Sequence, residues 1–249
     1  MKVIEYGSDH PQVILLLHGG GLSWWNYQQA AMLLADRFHV VLPVLDGHSG
    51  SDAPFTTIEA NAARIAAYID EHFGGHILLA GGLSLGGQVL LELLAQRSSI
   101  CDYAIIESAL TLPMPLTKAL TAPSFSLCYP LIRQRWFAKL QFRQLVIQPG
   151  LFEPYFTDSA AIAQSDMIAF LQANADYRIR ESLSDCTAKA LVLVGGKERP
   201  IMKRSAGMIA QALPGAVLEE CRGLGHGALS LNHPQQYAEK LLHLLAQPV

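Results

Sequence analysis

Residues 77–88, Ile-Leu-Leu-Ala-Gly-Gly-Leu-Ser-Leu-Gly-Gly-Gln, restrict the possible folds more than any other stretch of the chain. An apolar run ends at Ser84, with Gly82 two residues before it and Gly86 two residues after it. A strand that turns at once into a helix strains the residue at the turn. The backbone then passes so close to itself that the flanking positions must be nearly free of side chain. The helix expected from about Gln88 places the serine hydroxyl above a sheet edge, at a helix N-terminus that favours developing negative charge. Ser84 is therefore a candidate nucleophile.

The same rhythm recurs along the chain. Val13-Ile14-Leu15-Leu16-Leu17, Val40-Val41-Leu42, Tyr103-Ala104-Ile105-Ile106 and Leu191-Val192-Leu193-Val194 are unbroken apolar runs, each followed by a helical stretch. Strands without polar alternation are buried on both sides, which predicts an α/β fold: a mostly parallel central sheet with helices on both faces. Ile58, Ala62, Ile65 and Ile69 keep to one helical face behind a capping-box pattern at Thr56-Thr57-Ile58-Glu59. Tyr237, Leu241, Leu244 and Leu245 do the same after Pro234.

A chain of 249 residues suits one domain. The rhythm breaks between Leu112 and Cys186, a segment that holds ten of the twenty aromatic residues and six of the thirteen prolines. The expected arrangement is a core of residues 1–111 and 187–249, with an inserted helical cap at about 112–186 over an apolar cavity. Trp24 and Trp25 follow the first glycine loop, and Trp24 and Trp136 are candidate pocket residues. The alternative for Trp136, Phe137, Phe142, Phe152, Tyr155 and Phe156 is a small core belonging to the insertion itself.

Two further loops carry candidate chemistry. In Leu15-Leu16-Leu17-His18-Gly19-Gly20-Gly21 an apolar strand runs into glycines, which allow a backbone N–H to face a substrate oxygen. The N–H groups of Gly20 and of Leu85, the residue after Ser84, would together form a two-donor oxyanion hole. His18 reads as a residue that orders this loop rather than as a base. The candidate base is His226, held between glycines in Arg222-Gly223-Leu224-Gly225-His226-Gly227 after the last strand-like run.

These residues resemble the α/β-hydrolase family, in particular its small capped members. The resemblance rests on His18-Gly19-Gly20-Gly21, the turn at Ser84, the glycine-flanked His226 and the insertion. It implies a triad ordered nucleophile, acid, histidine, with the acid in Val194-Gly195-Gly196-Lys197-Glu198-Arg199-Pro200. Glu198 is the acid implied, where the family more commonly has aspartate; Glu107, ending an earlier strand, is the alternative. A second departure lies at Val44-Leu45-Asp46-Gly47-His48-Ser49, where Val44 replaces a usual aspartate.

The resemblance implies a serine hydrolase that cleaves a small ester or related acyl compound through an acyl-enzyme. Lyase, carbon–carbon hydrolase or perhydrolase chemistry with the same triad is an alternative, and so is a non-catalytic ligand sensor. Arg133, Arg135, Lys139 and Arg143 lie within eleven residues, and Arg135, Lys139 and Arg143 share a face if helical. Arg135 is thus a candidate contact for a carboxylate-bearing substrate, although a solvated face is the plainer reading.

The expected partner is a small-molecule substrate. A net charge of −3 without any basic run gives no basis for nucleic-acid binding. No apolar run approaches the roughly 20 residues that span a bilayer, so no membrane partner is expected. Cys101, Cys128, Cys186 and Cys221 are scattered, without metal-ligand spacing. Neither a metal nor an organic cofactor is expected. The first residues, with Glu5 and no long apolar stretch, do not read as a signal peptide, which makes a cytoplasmic location the expectation.

Overall fold

The computed structural model of the protein describes residues 1–145 and 147–247. The first half of the sheet is built from β1 (Val3–Tyr6), β2 (Val13–Leu17), α1 (Gln28–Leu34), β3 (His39–Pro43), α2 (Ile58–Phe73), β4 (Ile77–Leu83), α3 (Leu85–Gln96) and β5 (Cys101–Glu107). Four helices follow without an intervening strand: α4 (Pro115–Ile132), α5 (Arg135–Gln144), α6 (Phe152–Ala161) and α7 (Gln164–Asp176). The chain then returns through β6 (Lys189–Gly195), α8 (Pro200–Ala212), β7 (Val217–Cys221), α9 (Ala228–Asn232) and α10 (Pro234–Leu245). The strands form one sheet in the order β1-β3-β2-β4-β5-β6-β7. β1 is antiparallel to β3, and the remaining pairs are parallel.

The apolar runs bury both faces because successive side chains on a strand point to opposite sides. Val13, Leu15 and Leu17 of β2 join one buried cluster, with Ile58, Ala62, Ile65 and Ile69 of α2, Val89 of α3 and Ile209 of α8. Ile14 and Leu16 join the other, with Ala30, Ala31 and Leu34 of α1 and Tyr237, Leu241 and Leu244 of α10. Truncating one of these fully buried residues, such as Leu16, to alanine would cost about 2–5 kcal/mol.

Two boundaries differ from the sequence expectation. α2 is capped by Thr57, whose hydroxyl accepts from the Ala60 N–H at 3.0 Å, one residue later than the Thr56-to-Glu59 spacing suggested. α3 starts at Leu85, directly after Ser84, rather than near Gln88. Gly86 and Gly87 are poor helix formers, but here their lack of a side chain is what admits the helix. A Cβ on Gly86 would lie 2.2 Å from the Leu17 carbonyl oxygen, so the first turn of α3 packs directly on the end of β2.

Three polar contacts tie the helices between β5 and β6 to the sheet body. Trp25 Nε1 donates to Asp158 on α6 at 2.8 Å, and the Phe55 N–H donates to Asp166 on α7 at 2.9 Å. Fully buried Gln88 donates to the carbonyls of Leu110 and Asn174 and accepts from the Asn174 side chain at 2.8 Å. Among the described residues no helix is long and apolar enough to cross a membrane.

Candidate active site

Ser84 occupies the tight turn between β4 and α3 with φ 53° and ψ −111°, a left-handed conformation unusual for any residue but glycine. The turn is held from both sides: Ser84 N–H donates to the Glu107 carbonyl at 2.8 Å, and the Ser84 carbonyl accepts from Gln88 N–H at 3.0 Å. Leu85 opens α3, so its N–H is one of those the helix leaves without an intrahelical acceptor. Gly20 lies against it, since a Cβ on Gly20 would sit 3.4 Å from the Leu85 Cβ.

His226 reaches this serine from the loop after β7. Ser84 Oγ lies 3.1 Å from His226 Nε2, and His226 Nδ1 lies 2.7 Å from Glu198 Oε2. An ionised carboxylate only accepts, so Nδ1 carries the proton and Nε2 presents its lone pair to the serine hydroxyl. Glu198 Oε1 is separately engaged, accepting from Ser108 Oγ and from the Gly195 N–H, each at 2.7 Å. Burial alone would raise the Glu198 carboxyl. The bond and charge of His226, with the donors Ser108 and Gly195, outweigh it and hold the group below the usual range.

Ser108 carried no signal in the sequence, yet it connects three loops. Its φ is 55°, its hydroxyl donates to Glu198, and the same oxygen accepts from the Gly227 N–H at 3.3 Å. Glu107, the alternative acid, has a different environment. It is buried, and its Oε1 accepts from the N–H groups of Leu229 and Ser230 at the start of α9, while the carboxylate bonded to His226 is that of Glu198. Burial raises the Glu107 carboxyl to about 7, against the lowering effect of Ser230 and His226.

A cavity of about 410 Å³ opens above Ser84. Its floor is Gly19, Gly20, Gly21, Ser84 and His226, and its walls include Leu22, Phe125, Ile132, Ile147, Tyr155, Met167, Phe170 and Leu231. Gln141, Gln144 and Ser159 add polar groups, and among the described residues no Lys, Arg, Asp or Glu lines it. Among the described residues, no cluster of His, Cys, Asp and Glu is arranged to hold a metal ion.

The model of the alpha/beta hydrolase family matches residues 14–240. The chain belongs to the alpha/beta hydrolase family. The hydrolase also shares its fold with solved structures of low sequence identity. An esterase from Exiguobacterium antarcticum aligns with a TM-score of 0.83 at 18% identity, covering 98% of this chain and 95% of the other. An esterase from Thermogutta terrifontis gives 0.80 at 19%, covering 98% and 92%. The enol-lactonase from Burkholderia xenovorans LB400 gives 0.81 at 17%, covering 99% and 96%. No curated protein matches the chain.

The three side chains expected at the pocket of this hydrolase, Trp24, Trp136 and Arg135, do not line the cavity. On α5 the buried face is Ala138 and Phe142, and Trp136 lies about 200° around the helix from Ala138, which turns its indole outward. Arg135 lies over the rings of Phe152 and Phe156 and pairs with Glu153, all on α6. Trp24 is half-buried beside the glycine loop, while its neighbour Trp25 makes the contact to α6. The walls come instead from α4, α7 and the loops around them, through Phe125, Ile132, Met167 and Phe170. Their placement depends on how the helices pack, which spacing alone does not reveal.

Two buried histidines brace the glycine loop of the hydrolase. His18 Nε2 accepts from the Leu45 N–H at 3.1 Å and its Nδ1 faces the Gly19 carbonyl at 2.9 Å. His48 Nε2 accepts from the Gly21 N–H at 3.0 Å, and its ring stacks on Phe170. Burial lowers His18 to about 3 and His48 to about 4, with the adjacent His48 contributing further to the lowering at His18. Both rings are neutral in the folded state near pH 7, and both titrate near 6.5 once unfolded.

Between those values the unfolded chain binds more protons, so the stability these residues contribute is present above about pH 6.5 and is lost as pH falls. Glu107, raised in the folded state, acts in the opposite sense and offsets about one of them. The unfolding free energy from urea titration should drop by about 2 kcal/mol between pH 6.5 and 5. His48→Gln should remove most of that slope. Stability that is flat over this window, or a slope unchanged in the variant, would contradict the assignment.

Proposed function

We propose that this protein is a serine hydrolase that cleaves neutral, apolar esters of modest size through an acyl-enzyme, with α4–α7 acting as a cap over the reacting atoms. The observation that carries this reading is the unbroken line Ser84–His226–Glu198 on the floor of an apolar cavity. In the proposed reaction His226 Nε2 takes the Ser84 proton as Oγ attacks the ester carbonyl. The oxygen that becomes negative is received by the N–H groups of Gly20 and Leu85, each worth about 3 kcal/mol in such a site. Collapse of the tetrahedral species breaks the bond to the alcohol, which leaves with the proton from His226. Water, deprotonated by the same imidazole, then releases the acid and restores Ser84.

The fold supports a hydrolase, and the cavity supports ester substrates in particular. The fold is shared with proteins named as esterases and an enol-lactonase, and equally with a serine hydrolase involved in carbazole degradation, so it supports hydrolysis and leaves the choice of bond to the cavity. Among the described residues no Lys or Arg lines the cavity, whereas a carboxylate-bearing substrate for carbon–carbon cleavage or elimination would be expected to require one. The test is a p-nitrophenyl ester series from acetate to decanoate. Turnover should peak at about four to eight acyl carbons and fall at decanoate, given the cavity volume. A folded protein that neither turns over any member nor is labelled by a fluorophosphonate probe would overturn the proposal.

A further inference from the structure

α4 is an anomaly for a surface helix. Its sequence, Pro-Leu-Thr-Lys-Ala-Leu-Thr-Ala-Pro-Ser-Phe-Ser-Leu-Cys-Tyr-Pro-Leu-Ile, carries Lys118 as its one charge, yet only Thr121 and Ile132 are buried. A helix that is apolar all round is ordinarily enclosed by protein or lipid. At about 100° per residue, Leu116, Leu120, Leu127 and Leu131 fall within about 60° of one another, forming a single stripe along the outside. These side chains are exposed, Leu116 at 71% and Leu127 at 81%. Trp136, at 62%, and Leu140 extend the apolar surface onto α5 at i and i+4 spacing.

The charge around this surface indicates what it meets. Residues 112–148 hold five cations, Lys118, Arg133, Arg135, Lys139 and Arg143, and no Asp or Glu, in a chain whose net charge is −3. Lys118 pairs with Asp176 and Arg135 with Glu153, which leaves Arg133, Lys139 and Arg143 outside any salt bridge among the described residues. A second copy of the chain would bring two such basic faces together. An anionic lipid surface would neutralise them while accepting leucine and tryptophan side chains at the headgroup level. From this we infer that the outer face of α4 and α5 docks the protein peripherally on an anionic bilayer. The expectation of no membrane partner rested on the lack of a spanning run, but lying on a membrane requires only an exposed apolar stripe with flanking cations. The same two helices supply Phe125, Ile132, Gln141 and Gln144 to the cavity. On α4, Phe125 and Ile132 lie about 100–180° around the helix from the leucine stripe, so its inner side serves the cavity and its outer side is left for docking.

The test is cosedimentation of the full chain with vesicles of phosphatidylcholine alone and with about one third phosphatidylglycerol. Binding should occur to the anionic vesicles, weaken between about 0.1 M and 0.5 M salt, and shift the tryptophan fluorescence to the blue, a shift that Trp136→Phe removes. Lys139→Gln with Arg143→Gln should lower partitioning about fivefold for each cation removed. Leu127→Glu should abolish binding while retaining the wild-type circular dichroism, melting temperature and ester turnover, since Leu127 lies outside the cavity. Vesicle binding requires no turnover, so failure of the ester reading would leave this result unaffected. Absence of wild-type binding to anionic vesicles would overturn the proposal, as would equal binding by Leu127→Glu. A dimer seen by light scattering that Leu127→Glu dissociates, without vesicle binding, would also overturn it and assign the face to self-association.

Discussion

Ser84→Ala should lower kcat on the best p-nitrophenyl ester by between about 10⁴-fold and 10⁶-fold. Without the hydroxyl no acyl-enzyme forms, and the remaining rate reflects only binding and the two N–H donors. The fold should be unaffected, because alanine at φ 53° is strained much as serine is and the bonds to Glu107 and Gln88 use backbone atoms alone. The melting temperature should stay within a few degrees of wild type. Labelling by a fluorophosphonate should vanish with activity. A variant that retained either would transfer the nucleophile's role to another residue.

Glu198→Gln should cost about 10⁴-fold in kcat with little change in KM, for a reason specific to this site. Glu198 Oε1 receives two donors, Ser108 Oγ–H and Gly195 N–H, so the amide NH₂ of glutamine cannot occupy that position. The amide oxygen must take it, which points the NH₂ at His226 Nδ1. Nδ1 then has to accept, the ring proton moves to Nε2, and the nitrogen facing Ser84 is no longer a base. The pH–rate profile and a Glu198→Asp control distinguish this from simple misfolding. Aspartate keeps the correct tautomer but is shorter by one methylene, so it should retain more activity than glutamine. The opposite ranking would contradict the tautomer argument.

Much of the fold was legible because it depends on local pattern. Val13 to Leu17 is apolar at every position because both sheet faces are covered, and the helical face of Ile58, Ala62, Ile65 and Ile69 reports contact with one of them. Ser84 was legible for a steric reason, since Gly82 and Gly86 are demanded by carbonyl oxygens 2.4 Å and 2.2 Å from where their Cβ atoms would lie. The choice between Glu198 and Glu107 was less legible, because both follow or end a strand at the same sheet edge. It depends on which loop delivers a carboxylate to Nδ1, and Glu107 is occupied by the first turn of α9.

The sequence by itself determined six of the seven described strands, the helices behind Thr57 and Pro234 and the positions of Ser84 and His226, because each follows from hydrophobic period or from glycine where the backbone must approach closely. It missed β1, and Glu198 was only what the family resemblance implied. Only the tertiary structure decided the walls of the cavity, the outward turn of Trp136 and Arg135, and the bridging place of Ser108. Rotation of a helix such as α5 about its axis is set by packing of Ala138 and Phe142 against neighbours distant in sequence. A single hydroxyl joining three loops, as in Ser108, leaves no periodic trace in any one of them.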